Sequence, residues 1–526
     1  MKAPKIIIGS RGSDLALWQA NFILKKLEEA GVIAEIKIIK TKGDKIQDLS
    51  FDKIEGKGFF TKELEDALLN NEIDLAVHSC KDLPTASPKG LSIVGYSYRE
   101  NPADLLLINK EAVDEKQKFN LKKEAVVGTS SSRRKSQLLA FRGDCKIEDL
   151  RGNVPTRIQK LREKKYDAIL LAAAGIERLN IDLTDVWVEE LSPKEYIPAA
   201  AQGVLALQTR SNDKDLIAIV RNKINEPEVE DIVSIERELL ALFDGGCQIP
   251  LGIFAEKFEN EHEELIYCVR VAHSKTWDAT PAYYYYESKK RENFSDRFMD
   301  KIKSIKPVSV FITRDVNEKG LFYKSLSAKG FTVQGRALID IKKIPLRPTP
   351  PTEWIFFSSK NAVKYFFDQK PQLASDVRYA VVGKGTGDEL KKYGKRAEFI
   401  GYSTDTRLTG KQFAALVGSR KVLFPQAKGS FKTIQKQFTK PGQAIDLIVY
   451  ESIKRNEEEI PNADILVFTS PSNVEAFFEK HKIKENQKVI AMGDATANAL
   501  KEHRVVINKK PATFDDIGLV QSVLGV

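Results

Sequence analysis

Arginine, lysine, serine and glycine are gathered into five short segments of the first half of the chain. They are Gly9-Ser10-Arg11-Gly12-Ser13, Gly56-Lys57-Gly58, His78-Ser79-Cys80-Lys81-Asp82, Gly128-Thr129-Ser130-Ser131-Ser132-Arg133-Arg134 and Leu150-Arg151-Gly152-Asn153-Val154-Pro155-Thr156-Arg157. A planar guanidinium can grip a carboxylate through two charge-assisted hydrogen bonds, each contributing on the order of 1.5–3 kcal/mol. One such loop is more often a solvated cap; five in one region point to a site for several anionic groups. Asp82 adds a carboxylate able to stabilise a developing cation or exchange a proton, although the same residue beside Pro84 also reads as a helix cap. Cys247 stands between Gly245-Gly246 and Gln248-Ile249-Pro250. A lone cysteine is usually a core residue, but glycines free the backbone for a tight loop, and a thiolate at a loop tip is an effective nucleophile. Cys80, Cys145 and Cys268 fall on or beside apolar runs and read as core.

The elements that must position these groups follow from periodicity. From Lys5 to about Thr209 short β-branched runs alternate with amphipathic stretches, which predicts α/β units with mostly parallel strands. Strands are expected at Lys5–Ser10, Glu35–Thr41, Asp74–Ser79, Val126–Thr129, Lys146–Leu150 and Asp167–Ala172, with helices at Ser13–Ala30, Thr61–Asn70, Ser131–Arg142 and Thr156–Lys165. The cation-rich segments then sit where strands pass to helices or loops, the end of an open α/β sheet where ligands bind. Two lobes with a cleft between them fit this rhythm. A helix over Glu228–Phe243, strands at Leu251–Glu256, Leu265–Ala272 and Ala282–Glu287, and a helix at Phe294–Ile305 predict a small α+β third domain. Beyond a boundary at Lys303–Pro307 a weak repeat appears at an offset of about 111 residues. Ile355–Val363 recurs as Leu466–Val474, and Val381–Thr386 as Ala491–Thr496, implying two similar α/β lobes. Pro345–Pro351 is expected to be an extended connector between them.

Composition bounds the class. At 526 residues the chain exceeds the ~250–300 at which one core stops growing, so several domains are expected. Its 42% hydrophobic and 30% charged residues are those of a globular protein. The apolar run at Ile6–Ile8 is too short for a signal peptide, and no stretch approaches ~18 apolar residues, so secretion and membrane spanning are not expected. Four cysteines without CxxC or Cys/His spacing indicate neither a disulfide framework nor a metal site, and suggest a reducing, cytoplasmic setting. The net charge of +10 is uneven: residues 1–305 carry −3 and residues 306–526 carry +13. The second half therefore faces something anionic, nucleic acid being the general reading and a polycarboxylate the specific one.

In its first three hundred residues the chain resembles the porphobilinogen deaminase (hydroxymethylbilane synthase) family. The resemblance rests on Arg11-Gly12-Ser13 with Leu15–Gln19, His78–Pro84, Val127–Ser131 with Arg133-Arg134, Leu150–Val154 and Gly245–Pro250, in the family's order and spacing. It implies periplasmic-binding-protein-like lobes (lobe 1 about 1–100 and 200–220, lobe 2 about 101–199) and a cofactor-bearing domain about 225–303. It also implies that Cys247 holds a dipyrromethane cofactor through a thioether, built by the enzyme from its own substrate. The implied reaction joins four porphobilinogens head to tail, each losing ammonia to give an electrophilic azafulvene, with Asp82 as the catalytic carboxylate at the pyrrole N–H. By the same match Arg11, Ser13, Lys57, Lys81, Thr129, Ser130, Ser131, Arg133, Arg134, Arg151, Arg157, Arg178 and Gln202 should hold the acetate and propionate groups, and Gly43–Gly58 could act as a lid. The departures are Ser132 where leucine is usual, Asp14 where proline is common, and Ala201-Gln202-Gly203 where Gly-Gln-Gly is typical; none removes an ionic or nucleophilic group.

Residues from about 306 resemble uroporphyrinogen-III synthase, through Phe468–Val474, Met492–Thr496 and Val449–Glu451. This implies closure of hydroxymethylbilane to uroporphyrinogen III with loss of water, by lobe A (about 306–342 and 455–526) and lobe B (about 350–450). Tyr450, Ser470 and Thr496 are the candidate substrate contacts, each equally readable as a turn or cap residue. Two rivals stand: a solute-binding module without chemistry in the first half, and a regulatory or nucleic-acid-binding domain in the second. Aromatics of the second half fall in apolar patterns rather than in basic stacking platforms, which disfavours nucleic acid. The expected partners are therefore small-molecule substrates, with no membrane and no nucleic acid, and the chain is expected to be a monomer.

Overall fold

The computed structural model describes residues 5–40, 61–243, 249–260, 263–401, 405–455 and 459–526. Lys57, the Gly43–Gly58 stretch and Cys247 lie outside the described residues. The chain divides into two compact units, Met1–Asp114 with Phe119–Ser304, and Ile305–Val526 with Glu115–Lys118.

In the first unit the described residues form two five-stranded sheets. One is ordered Ala34–Ile38, Ile6–Ser10, Leu75–Ser79, Leu205–Arg210, Leu91–Tyr96. The other runs Lys146–Glu148, Val126–Gly128, Ala168–Ala172, Asp104–Ile108, Trp187–Leu191. Each holds one strand antiparallel to both neighbours, Leu205–Arg210 in the first and Asp104–Ile108 in the second. These two strands lie just past the two crossings between lobes, so each lobe's sheet contains a strand delivered by a crossing. The expected parallel sheets are therefore mixed. Leu105–Ile108 are buried on both faces, which explains why this strand reads as a continuous apolar run rather than an alternating one.

Helix starts place the cation-rich loops. Ser13 caps Asp14–Glu29, Ser131 caps Ser132–Phe141, and Asn153 caps Val154–Arg162 with Pro155 in the first turn, where its missing N–H costs nothing. The third region is the antiparallel sheet Leu251–Glu259, Leu265–His273, Ala282–Ser288, with helices Pro227–Leu242 and Phe294–Ser304.

In the second unit the internal repeat is structural. Trp354–Phe357, Lys360–Phe367, Arg378–Val381 and Lys384–Lys391 recur as Ile465–Phe468, Pro471–Phe478, Lys488–Ala491 and Asp494–Glu502. Both leading strands are wholly buried, and Ser359 and Ser470 cap the two helices that follow, with φ of −159° and −160°. The connector between these lobes is extended, but it is not the proline-rich segment. Ile339–Lys343 and Ala444–Lys454 pair antiparallel into a ribbon that makes the passage, while residues 345–351 lie inside lobe B, before Trp354–Phe357. No helix among the described residues is long and apolar enough to cross a membrane.

Candidate active site

A fully buried carboxylate, Asp104, organises the expected cations of the first unit. Its Oδ2 accepts from Arg133 Nη1 at 2.7 Å, and its Oδ1 from Arg134 Nη2 at 2.7 Å and Nε at 3.1 Å. Gln202 Nε2 donates to the same Oδ1 at 3.2 Å and to the Pro102 carbonyl at 2.8 Å, and Gln202 Oε1 accepts from Lys81 Nζ at 3.3 Å. Burial works to raise the Asp104 pKa, but the charges of Arg133 and Arg134 outweigh it and hold the carboxyl well below the usual carboxylate range. The network runs from Lys81 in lobe 1 across both crossings to Arg133 and Arg134 in lobe 2. It joins four of the expected residues through one that was not expected.

Around it stand further charges. Burial, with the charges of Arg134 and Arg151, brings the Arg157 guanidinium down to about 10, against the opposing pull of Asp82. Arg157 Nε donates to the Gly152 carbonyl at 2.7 Å. Lys81 is pushed down to about 8 by burial, with Asp82 acting to keep it protonated. Asp82 itself is exposed on the short turn Cys80–Asp82 that follows Leu75–Ser79. Among the described residues, Lys81, Arg133, Arg134 and Arg157 thus face two carboxylates, Asp82 and Asp104, and these six groups together are net positive.

The remaining expected residues divide by role. Ser13 and Ser131 spend their oxygens as helix caps, Thr129 Oγ1 accepts from the Ser131 amide, and Ser130 Oγ both donates to and accepts from the Leu150 backbone. Arg11 follows strand Ile6–Ser10 and is half-buried. Arg178 is buried, donates to the Gly203 carbonyl at 2.8 Å and lies over the Trp18 ring. In the second unit the Tyr450 hydroxyl lies 3.2 Å from Ser359 Oγ, and burial pushes its pKa up. Ser470 Oγ accepts from Asn473 Nδ2 at 2.9 Å. Thr496 is 1% exposed, and its hydroxyl donates to the Met492 carbonyl just before its own helix, Asp494–Glu502.

Asp104 was legible in one respect: a charge opening the apolar run Leu105–Ile108 cannot enter a core unpaired. His78 was singled out only as part of its motif. It is buried beneath the sheet, with Nε2 3.0 Å from Gln208 Oε1, and Gln208 in turn donates to Glu65. Burial lowers the His78 pKa from 6.5 to about 4. The unfolded chain therefore binds a proton between these values that the folded one excludes, so stability falls as pH drops through that window. The expected loss is on the order of 2 kcal/mol by pH 5. A His78→Gln chain should lack this component, read as a smaller shift of the urea midpoint between pH 7 and pH 5.

The comparisons divide the chain as the two units do. Residues 6–218 match the family model "Porphobilinogen deaminase, dipyromethane cofactor binding domain", and residues 322–521 match "Uroporphyrinogen-III synthase HemD". A porphobilinogen deaminase of Oceanobacillus iheyensis is 46% identical over 253 residues, covering 48% of this chain and 80% of that protein. One from Bacillus cereus is 45% identical over 263 residues, covering 50% and 83%. Among solved structures, the uroporphyrinogen-III synthetase of Helicobacter pylori aligns with 40% of this chain and 96% of its own, at 18% identity and a TM-score of 0.31.

Proposed function

From the fact that the chain belongs to the porphobilinogen deaminase family in its first half and carries a uroporphyrinogen-III synthase domain in its second, we propose how its residues divide the work. The chain is a bifunctional enzyme of tetrapyrrole biosynthesis. It condenses four porphobilinogens to hydroxymethylbilane with release of ammonia, then closes hydroxymethylbilane to uroporphyrinogen III with loss of water.

The observation that carries the proposal for the first half is the net-positive cluster beside an exposed carboxylate. Buried and half-buried cations in excess of their counter-charges repel one another, and docked anions relieve that cost. A polycarboxylate pyrrole meets that need, and the cluster therefore fits the dipyrromethane group for which this family's domain is named. Lys81, Arg133, Arg134, Arg151 and Arg157, with Arg11 and Arg178, hold the acetate and propionate groups. Asp104 and Gln202 fix where the cations stand, and Ser13, Thr129, Ser130 and Ser131 shape the loops that carry them. Cys247 attaches the dipyrromethane, which supplies a pyrrole terminus to which the first substrate is joined. Lys57 belongs to the substrate-holding set. Asp82 faces the pyrrole N–H of the substrate losing ammonia, where its negative charge stabilises the cation that forms and its oxygen takes up and returns the proton.

In the second half the capped starts of Lys360–Phe367 and Pro471–Phe478, one per lobe, offer free N–H groups to the bilane's carboxylates. Ser470 belongs to one of them, Tyr450 touches the other through Ser359, and Thr496 supports the neighbouring helix start. A Tyr450→Phe change should slow ring closure by roughly 10-fold, the loss of one hydrogen bond of about 1.4 kcal/mol. Closure of synthetic hydroxymethylbilane at an unchanged rate would remove Tyr450 from the site. The enzyme works as a cytoplasmic monomer on small molecules, without membrane or nucleic acid; the free thiols of Cys80, Cys145 and Cys268 are consistent with the reducing setting.

The proposal for the first half is tested by intact mass of the denatured chain followed by peptide mapping. A dipyrrole adduct on the Cys247 peptide supports it, and an unmodified chain that nonetheless consumes porphobilinogen overturns the attachment.

A further inference from the structure

The turn that presents Asp82 is held mainly from outside itself. Asp82 makes no side-chain hydrogen bond among the described residues, so the backbone of Cys80–Leu83 sets its aim. Within the turn, the Leu83 amide donates to the Cys80 carbonyl at 3.2 Å; at its start, the Cys80 amide donates to the Val204 carbonyl at 2.9 Å. At its exit stands Pro84, which has no N–H and can be anchored through its carbonyl alone. That carbonyl accepts from Arg237 Nη2 at 2.7 Å, and Arg237 Nη1 reaches Cys80 Sγ at 4.0 Å, so one guanidinium touches both ends of the turn.

Arg237 belongs to helix Pro227–Leu242, the element that precedes Cys247 in the sequence. One and two turns earlier on the same face, Val233 and Val229 pack with Cys80, Leu83, Ala201, Val204 and Ala206. The preceding residue, Glu236, is fully buried and fixes the helix to its surroundings. It takes a two-pronged ion pair from Arg99 at 2.8 and 3.2 Å, and accepts from the amides of Ala201 at 2.5 Å and Ala255 at 2.8 Å. The helix is thus rigidly seated at residue 236 and grips the turn at residue 237.

We propose that Arg237 is a positioning residue for the deaminase reaction, setting the place of Asp82 relative to the helix that leads to Cys247. It touches neither substrate nor cofactor and acts through the Pro84 carbonyl and the packing of Leu83. The proposal rests on the reading of Asp82 and Cys247 given above. A guanidinium suits the task because its planar fork reaches two acceptors at fixed separation, whereas lysine offers one point of contact.

The test uses the full chain with Arg237→Gln and Arg237→Lys, measuring kcat and KM for porphobilinogen per dipyrrole-loaded site, with loading taken from denatured mass. In Arg237→Gln, kcat per loaded site should fall by roughly 10- to 100-fold, the range in which a misplacement of about 1 Å acts, while KM changes little. Arg237→Lys should recover part of it by donating to the same carbonyl. Variants with wild-type kcat per loaded site, or with losses only in proportion to the unloaded or unfolded fraction, overturn the proposal. A wild-type chain that consumes no porphobilinogen overturns the underlying reading of the site, and this proposal with it.

Discussion

Replacing Asp82 by asparagine should lower the turnover of porphobilinogen by roughly 10²- to 10⁴-fold, the range over which a positioned acid–base group contributes. Asparagine keeps the size of the side chain but removes both the negative charge and the ability to take a proton. Loss of ammonia leaves a cation on the substrate's pyrrole, and the surroundings of Asp82 are otherwise cationic: Lys81 and Arg157 both sense its charge. Without the carboxylate a developing positive charge would face Lys81, Arg134 and Arg157, and Asp104 is already held by Arg133 and Arg134. KM should change far less than kcat, because the cations that hold the carboxylates of the substrate are untouched. Rates must be taken per loaded site, since the same chemistry builds the dipyrromethane. An Asp82→Asn chain with wild-type kcat would return this residue to the role of a turn former.

Replacing Cys247 by alanine has the second large effect and separates the two halves. Without the thiol no dipyrrole can be attached, and consumption of porphobilinogen should fall to the background of the assay. Closure of supplied hydroxymethylbilane should stay within about 2-fold of wild type, because the second activity belongs to residues matched by a different family model, 322–521. The other described cysteines cannot take over: burial pushes the thiols of Cys80, Cys145 and Cys268 up to about 11, away from the thiolate that attack requires. Retained deaminase turnover in Cys247→Ala would contradict the attachment.

The loops at Arg11, at Arg133-Arg134 and at Arg151–Arg157 were readable in the chain because each is local: a strand end, a capping serine or asparagine and an arginine within a few residues. The repeat of the second half was readable for the same reason, and Ser359 and Ser470 cap equivalent helices as it implies. What could not be read depends on pairing across distance. Arg133 and Arg134 reach Asp104 across 29 and 30 positions, and no spacing announces that two anion-binding candidates share an internal counter-charge. The strand Leu205–Arg210 carries the same apolar pattern whichever way it runs; its direction is set by the return crossing from lobe 2. In the second half, Pro345–Pro351 has the composition of a connector, yet strands Ile339–Lys343 and Ala444–Lys454 make the passage because their backbones satisfy one another.

The central claim, two consecutive activities in one chain, is tested most directly by giving the intact protein porphobilinogen alone and resolving the uroporphyrinogen isomers formed. Linear hydroxymethylbilane left to itself closes without inverting its last ring, so the type III isomer requires the second activity. The account predicts uroporphyrinogen III as the main product; uroporphyrinogen I alone would contradict it.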